Sequence, residues 1–339
     1  MTPDKKKKKP IPDVTTQVVA ARLILKQVRA LEAELPGVEA AEDIEAIHRM
    51  RVASRRLRSN LMIFEPVLPA KPLARWQQGV RGLTRALGSA RDLDVQIEHV
   101  STTLNHTTDK ELQRGLRRLM LRLQQQRANR QKTVLKMVAD WQKEKTGADL
   151  YLRLGGWESR LPDGKCEPSL PLADLACKSI LDHLATFLGY APCLDDPADI
   201  KPLHAMRIAA KWLRYTLESF DTVWNGAFDM QLGILRNAQE TLGIIHDCDV
   251  WADLIPEFIS RETRKTQSYF GHTRPMRHIL PGLEYYRQLR ADERSSLFEQ
   301  YRQDWFVWQE QHVWERLREI VLENSRSLRP SQITEADKA

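Results

Sequence analysis

The chain has 339 residues, 42% of them hydrophobic and 29% charged, with 52 Lys and Arg against 45 Asp and Glu for a formal net charge of +7. That composition can build one large or two ordinary domains and rules out wholesale disorder. No run approaches the roughly 18–20 uncharged apolar residues of a membrane-spanning helix, so no membrane association is expected.

From the N-terminus, MTPDKKKKKPIPD forms a basic tail over residues 1–13. Lys5 to Lys9 repel one another and cannot pack, so disorder is expected there. No apolar region or cleavage site follows, which argues against secretion. The four cysteines lie far apart without a CxxC pair, which suits a reducing cytosol and argues against a zinc site or disulfide framework. With 15 glycines and neither a GxGxxG nor a P-loop motif, the simple dinucleotide and nucleoside triphosphate sites are absent.

Helical periodicity begins near Val14 and continues with little interruption, and period-two β-branched runs are scarce, so the fold class is all-α. Breaks fall at 35–37 (LPG), 65–72 (EPVLPAKP), 155–171 and 189–202 (GYAPCLDDPADIKP). The 155–171 stretch holds three glycines and three prolines, and within it 161–171 is expected to link two halves, 14–160 and 172–322. Residues 323–339 turn polar and are expected to fray.

The two halves repeat each other. Residues 47–64, IHRMRVASRRLRSNLMIF, align with 203–220, LHAMRIAAKWLRYTLESF, at an offset of 156, and LGSARDLDV (87–95) aligns with LGIIHDCDV (242–250) at an offset of 155. Two motifs in the same order at nearly equal spacing indicate a tandem duplication.

On a helical projection, His48, Arg51, Arg55 and Arg58 fall within an arc of about 80°, opposite Met50, Ala53, Leu57, Leu61 and Phe64. His204, Arg207, Lys211 and Arg214 repeat this arrangement, opposite Met206, Ala209, Leu213, Leu217 and Phe220. A charge stripe is ordinarily a solvated face, but such faces mix signs, because like charges at i,i+4 cost a few tenths of a kcal/mol. Residues 47–64 contain no acid at all, and 203–220 contain only Glu218. Two helices that both accept this repulsion call for an anionic partner. Arginine's planar fork matches phosphate oxygens and keeps its charge. Apart from Trp212 and Tyr215, the stripes lack aromatics for base stacking, which favours a chain of phosphates over nucleic acid.

Further cationic faces lie at Arg22, Lys26 and Arg29, and at Arg114, Arg118 and Arg122 within a stretch of eight cations and no acid between Glu111 and Asp140. His48 and His204, each heading a stripe, are candidates for anion contact as well as for capping or core roles. Neither has a second ligand at i+3 or i+4, so no metal is expected. Asp92, Asp94, Asp247 and Asp249 admit a metal-binding DxD reading, but a structural role is favoured: N-caps after a Leu-Gly break, or partners that hold the stripe arginines. No nucleophile constellation appears. Trp305, Trp308 and Trp314 are spaced as core or dimer-interface residues.

The motifs HxxRVAxRRLR (48–58) and LGxxRDLDV (87–95), each echoed in the second half, resemble the CHAD family, whose domain is helical with a recurring histidine. The resemblance runs from about Val14 to Leu322. It implies two four-helix bundles related by pseudo-two-fold symmetry around a central basic channel. It also implies non-catalytic binding of inorganic polyphosphate and a cytoplasmic location at polyphosphate granules. Family contacts map onto His48, Arg51, Arg55, Arg58, His204, Arg207, Lys211 and Arg214, and Arg22, Lys26 and Arg29 resemble the family's basic first helix. Trp212 and His246 depart from the pattern, each standing where the other copy has arginine, which predicts a weaker second half. Many relatives carry a catalytic triphosphate tunnel domain before this one; the thirteen residues preceding Val14 leave no room for it, so hydrolysis and cofactors are not expected. Alternative readings are nucleic-acid binding aided by the lysine tail, a scaffold joining granule proteins, or a Mg-dependent phosphohydrolase using the four aspartates. Oligomeric state stays open.

Overall fold

The computed structural model describes residues 13–41, 43–161, 168–221, 224 and 226–328. The lysine tail, most of the 161–171 segment and residues 329–339 lie outside the described residues. Within them the chain is entirely helical, with eleven α-helices and no strand. They are α1 (Val14–Ala33), α2 (Leu35–Ala40), α3 (Ile44–Ile63), α4 (Ala70–His106), α5 (Lys110–Lys143), α6 (Thr146–Glu158), α7 (Leu170–Leu188), α8 (Ile200–Asp221), α9 (Asp229–Phe270), α10 (Leu280–Glu310) and α11 (Val313–Arg326).

Several starts are set by side-chain caps that satisfy otherwise orphaned amides. Asp13 accepts from the Thr15 amide, Asp43 from Glu45, Asp109 from Glu111 and Ser169 from Leu172. The apolar stripes then dock the helices. Met50, Ala53, Leu57, Leu61 and Phe64 are all buried, as are Met206, Ala209, Leu213, Leu217 and Phe220. Each larger side chain among them contributes about 1.5–3 kcal/mol on burial.

Packing runs in the same order through both copies of the repeat. α1 packs on α3 and α6, α3 on α4, and α4 on α5; α7 packs on α8 and α11, α8 on α9, and α9 on α10. Contacts between the copies join α3 to α8 and α5 to α10. One continuous core threads both copies, and a second apolar cluster fills the far ends of the long helices, with Trp251, Phe258 and Tyr286 among its members. Trp305, Trp308 and Trp314 pack with one another and with Phe187 in the main core.

Two local expectations are corrected. LGSARDLDV and LGIIHDCDV lie inside α4 and α9 rather than at helix starts, so their aspartates are not N-caps. Gly155 and Gly156 continue α6, which ends only at Glu158. Among the described residues no helix is long and apolar enough to cross a membrane.

Candidate functional site

α3 and α8 meet where Phe64 and Phe220 pack, their ring centroids 5.8 Å apart, and where Ser219 donates to Asn60 at 3.1 Å. This contact fixes the rotation of both helices, so their cationic faces turn toward a common space. Arg55 and Arg214 flank the Tyr215 ring at 5.9 and 5.3 Å from its centroid. Arg58 and Lys211 lie 5.8 and 5.7 Å from the Trp212 ring. The rings place cations close together without neutralising them.

Burial and mutual repulsion show in their acidities. Burial lowers the Arg55 pKa; Tyr215 opposes this, and Arg51 and Arg214 add to it. Burial also lowers Arg207, against the pull of Asp247. Lys211 is pushed down to about 8 by burial and then by Arg55, Arg207, Arg58 and Arg51. Arg58 is lowered by burial and by Arg81 and Arg85 of α4. Among the described residues no carboxylate lies within ion-pair distance of Arg55, Arg58, Arg207 or Lys211. Arg214 has Glu218 at 3.6 Å.

The other end of the row opens into a cavity of about 400 Å³. α3 supplies His48 and Arg51, α4 supplies Arg91, Asp92, Gln96 and His99, α8 supplies Arg207, and α9 supplies His246 and Asp247. Arg51 stands 3.5 Å from Asp92. Water reaches Asp92, yet protein surrounds it, so burial raises its carboxyl while Arg51, Arg207 and Arg55 pull it back. Asp247 is raised likewise, with Arg207 opposing and Asp92 reinforcing. The His204 and His246 rings pack with centroids 4.1 Å apart and planes tilted by 36°. Burial lowers all three histidines, His246 to about 4, and the neighbouring cations Arg91 at His48 and Arg207 at His204 and His246 lower them further. The Nδ1 atoms of His48 and His204 are buried without a hydrogen-bond partner. Unpaired buried polar atoms beside a group of cations are unusual in a folded chain and mark this region out.

The second aspartates of the two motifs do different work. Asp94 accepts from Arg127 of α5 at 2.6 Å, and Asp249 accepts from Arg294 of α10 at 2.5 Å. Both are buried ties between neighbouring helices. Among the described residues no group of three or more His, Cys, Asp and Glu side chains could hold a metal ion.

Of the cations expected from sequence, His48, Arg51, Arg55, Arg58, His204, Arg207, Lys211 and Arg214 are brought together. The others are placed elsewhere. Arg22 donates to the Leu161 carbonyl, and Arg29 pairs with Glu158 of α6. Lys26 lines a separate cavity with Arg56 and Glu218. Arg118 and Arg122 hold Glu262, whose side chain is 2% exposed. Burial alone would raise that carboxyl, but Arg122 and Arg118 outweigh it and hold it below its ordinary range. Glu262 lies thirteen residues beyond Asp249 on α9, or about 20 Å along the axis. Arg114 is exposed on the same distant stretch of α5. Arg81, Arg85, Arg91 and His99 were not among the candidates read from the sequence, and His246 stood there only as a departure from the pattern. Arg91 and His246 sit within the recognised repeat motif, next to the aspartates, which was the available signal.

A family model described as the CHAD domain matches residues 22–256. The chain belongs to that family. Two solved structures share the CHAD fold. The CHAD domain from the plant Ricinus communis is 20% identical with a TM-score of 0.58, covering 97% of this chain and 98% of that one. PptA from Streptomyces chartreusis is 15% identical with a TM-score of 0.57, covering 85% of this chain and 98% of that one. No curated protein matches the chain.

Proposed function

We propose that this CHAD protein binds inorganic polyphosphate without catalysis, in a basic channel where two four-helix bundles meet in pseudo-two-fold fashion. The observation that carries this reading is the cluster of Arg55, Arg207 and Lys211: half-buried cations with cations for neighbours and only Asp92 and Asp247 as nearby opposite charge. Such a cluster is costly unless a multiply charged anion fills it. Arg51 to Arg58 spans about 10 Å along α3, so a chain of phosphates fits the row better than a single one. Tyr215 is buried and unavailable for stacking along a strand of bases. Asp94 and Asp249 are committed to Arg127 and Arg294, which leaves the DxD motifs without a paired carboxylate and supports a binding role. A cytoplasmic location at polyphosphate granules, with granule proteins as further partners, belongs to the same reading.

The test is competition. Labelled long-chain polyphosphate is bound at about 150 mM salt, where screening falls off over about 8 Å. It is then challenged with duplex DNA, single-stranded DNA and RNA at matched phosphate. Competition by unlabelled polyphosphate alone supports the reading. Equal competition by the nucleic acids overturns it in favour of a generic polyanion surface.

A further inference from the structure

Two cavities sit at repeat-related places beside the cation row. The first, about 300 Å³, is lined by Leu23, Lys26 and Gln27 of α1, Arg56 of α3, and Glu218 and Ser219 of α8. The second, about 340 Å³, is lined by Ser179, Asp182 and His183 of α7, Trp212 of α8, and Met62 and Ile63 of α3. Each residue of one set stands 156 positions from its counterpart in the other. The chemistry differs. In the first cavity, Arg56 and Glu218 form a salt bridge at 3.1 Å. In the second, their counterparts are Trp212 and Met62, and Gln27 is replaced by His183.

The Trp212 and His183 rings are nearly parallel, 12° apart, with centroids 6.4 Å from each other. Thr216 bonds both the Trp212 carbonyl and His183 Nδ1, fixing the pair. Burial lowers the His183 pKa, so the imidazole is neutral at pH 7 and is not repelled by the neighbouring cations. Trp212 also carries Arg58 and Lys211 over its ring, so one side chain borders both the phosphate row and the second cavity. Met62, Ile63, Pro66 and Leu175 give the lining its apolar part, and Ser179, Asp182, Lys178 and Glu65 supply hydrogen-bonding and charged groups. The volume is at the lower end of that of small-molecule sites, roughly 300–1,000 Å³.

We propose that the cavity beside Trp212 takes a nucleobase, so that the cation row accepts oligophosphates terminated by a nucleoside. This rests on the phosphate-binding reading above and adds a base subsite at one end of it. Flat aromatic surface next to phosphate-binding cations suits a base joined to its phosphates, and stacking tolerates any base. The counterpart cavity has only Tyr215, which is buried at 3% exposure, beside the Arg56–Glu218 salt bridge, so the preference is confined to one end.

The experiment compares adenosine 5′-tetraphosphate with inorganic tetrapolyphosphate, which carries the greater charge, as competitors of labelled polyphosphate. The nucleotide is expected to bind tighter by between about 5-fold and about 150-fold, the range that base–aromatic stacking supplies. Trp212→Leu should remove this advantage, read as the ratio of the two affinities falling to about 1 whatever the change does to the row itself. Trp212→Arg with His183→Gln, the residues of the first copy, should do the same while keeping the helical circular dichroism of the parent. A nucleotide no tighter than inorganic tetrapolyphosphate, or an equal loss of both on Trp212→Leu, overturns the base subsite and leaves the phosphate reading standing. If labelled polyphosphate itself does not bind, both readings fall; if it binds and the nucleotide does not displace it at millimolar concentration, the base subsite alone falls.

Discussion

Arg127 of α5 donates to Asp94 of α4 at 2.6 Å, and Arg294 of α10 makes the same bond to Asp249 of α9. The repeated acidic motif therefore divides its labour: its second aspartate ties two helices together, while its first faces the cation-lined cavity. Removing one partner of a buried pair strands the other. Asp94→Ala should lower unfolding free energy by about 3 kcal/mol. Asp92→Ala should cost less than about 1 kcal/mol, since its pairing with Arg51 is long and solvated. The same Asp92→Ala change should tighten polyphosphate binding by removing a negative charge beside Arg51. Urea denaturation and fluorescence anisotropy would check the two effects separately.

The far ends of the two copies cross at glycines. A Cβ added to Gly282 of α10 would lie 2.0 Å from the Leu112 carbonyl oxygen, and one on Gly115 of α5 would lie 2.3 Å from that of Ile279. Both obstacles are backbone, so the crossing must open. Gly282→Ala and Gly115→Ala should each destabilise the fold by about 2 kcal/mol. Gly155→Ala meets nothing within 4 Å in α6 and should stabilise it by about 0.5–1 kcal/mol. Melting curves of the three variants give opposite signs if the crossing is as described.

pH acts on the cation row through Lys211, lowered to about 8, and His246, lowered to about 4. As pH rises from 7 to 9, Lys211 loses its proton in the empty site, so polyphosphate affinity should fall, and Lys211→Arg should flatten the decline. For the folding equilibrium the sign is set by proton uptake on unfolding. Between about pH 4 and pH 6.5 the unfolded chain binds more protons at His246 than the folded one, so the unliganded fold should weaken as pH drops through that window. A bound polyanion favours the charged imidazoles and should shrink this loss. Thermal melts at pH 7 and pH 5, with and without polyphosphate, measure both.

Much of this was legible in the sequence where one helix carried the whole signal. The apolar faces of α3 and α8 follow from 3.6-residue spacing alone, and all ten residues are buried. The cation stripes opposite them come together because burying those faces fixes the helix rotation. Partners distant in sequence were not legible. Arg122 finds Glu262 across 140 residues and Arg29 finds Glu158 across 129, so both stripes looked available when they are engaged. Leu-Gly suggested a helix break at 87–88, but Gly88 packs against Arg51 within an unbroken α4, and tertiary contact overrides glycine's weak helix propensity. The pairing of Trp212 with His183 joins α8 to α7 and has no trace in either segment alone.

The most direct measurement is polyphosphate affinity for two charge-reversal pairs of equal net charge. Arg55→Glu with Arg207→Glu strikes the cation row, whereas Lys132→Glu with Lys136→Glu strikes an exposed face of α5. With helical content preserved in both, loss of two charge-assisted contacts should weaken the first by at least about 100-fold, while the second stays within about 3-fold at the same salt. Equal losses in the two pairs would contradict a dedicated site and leave only net charge to explain the binding.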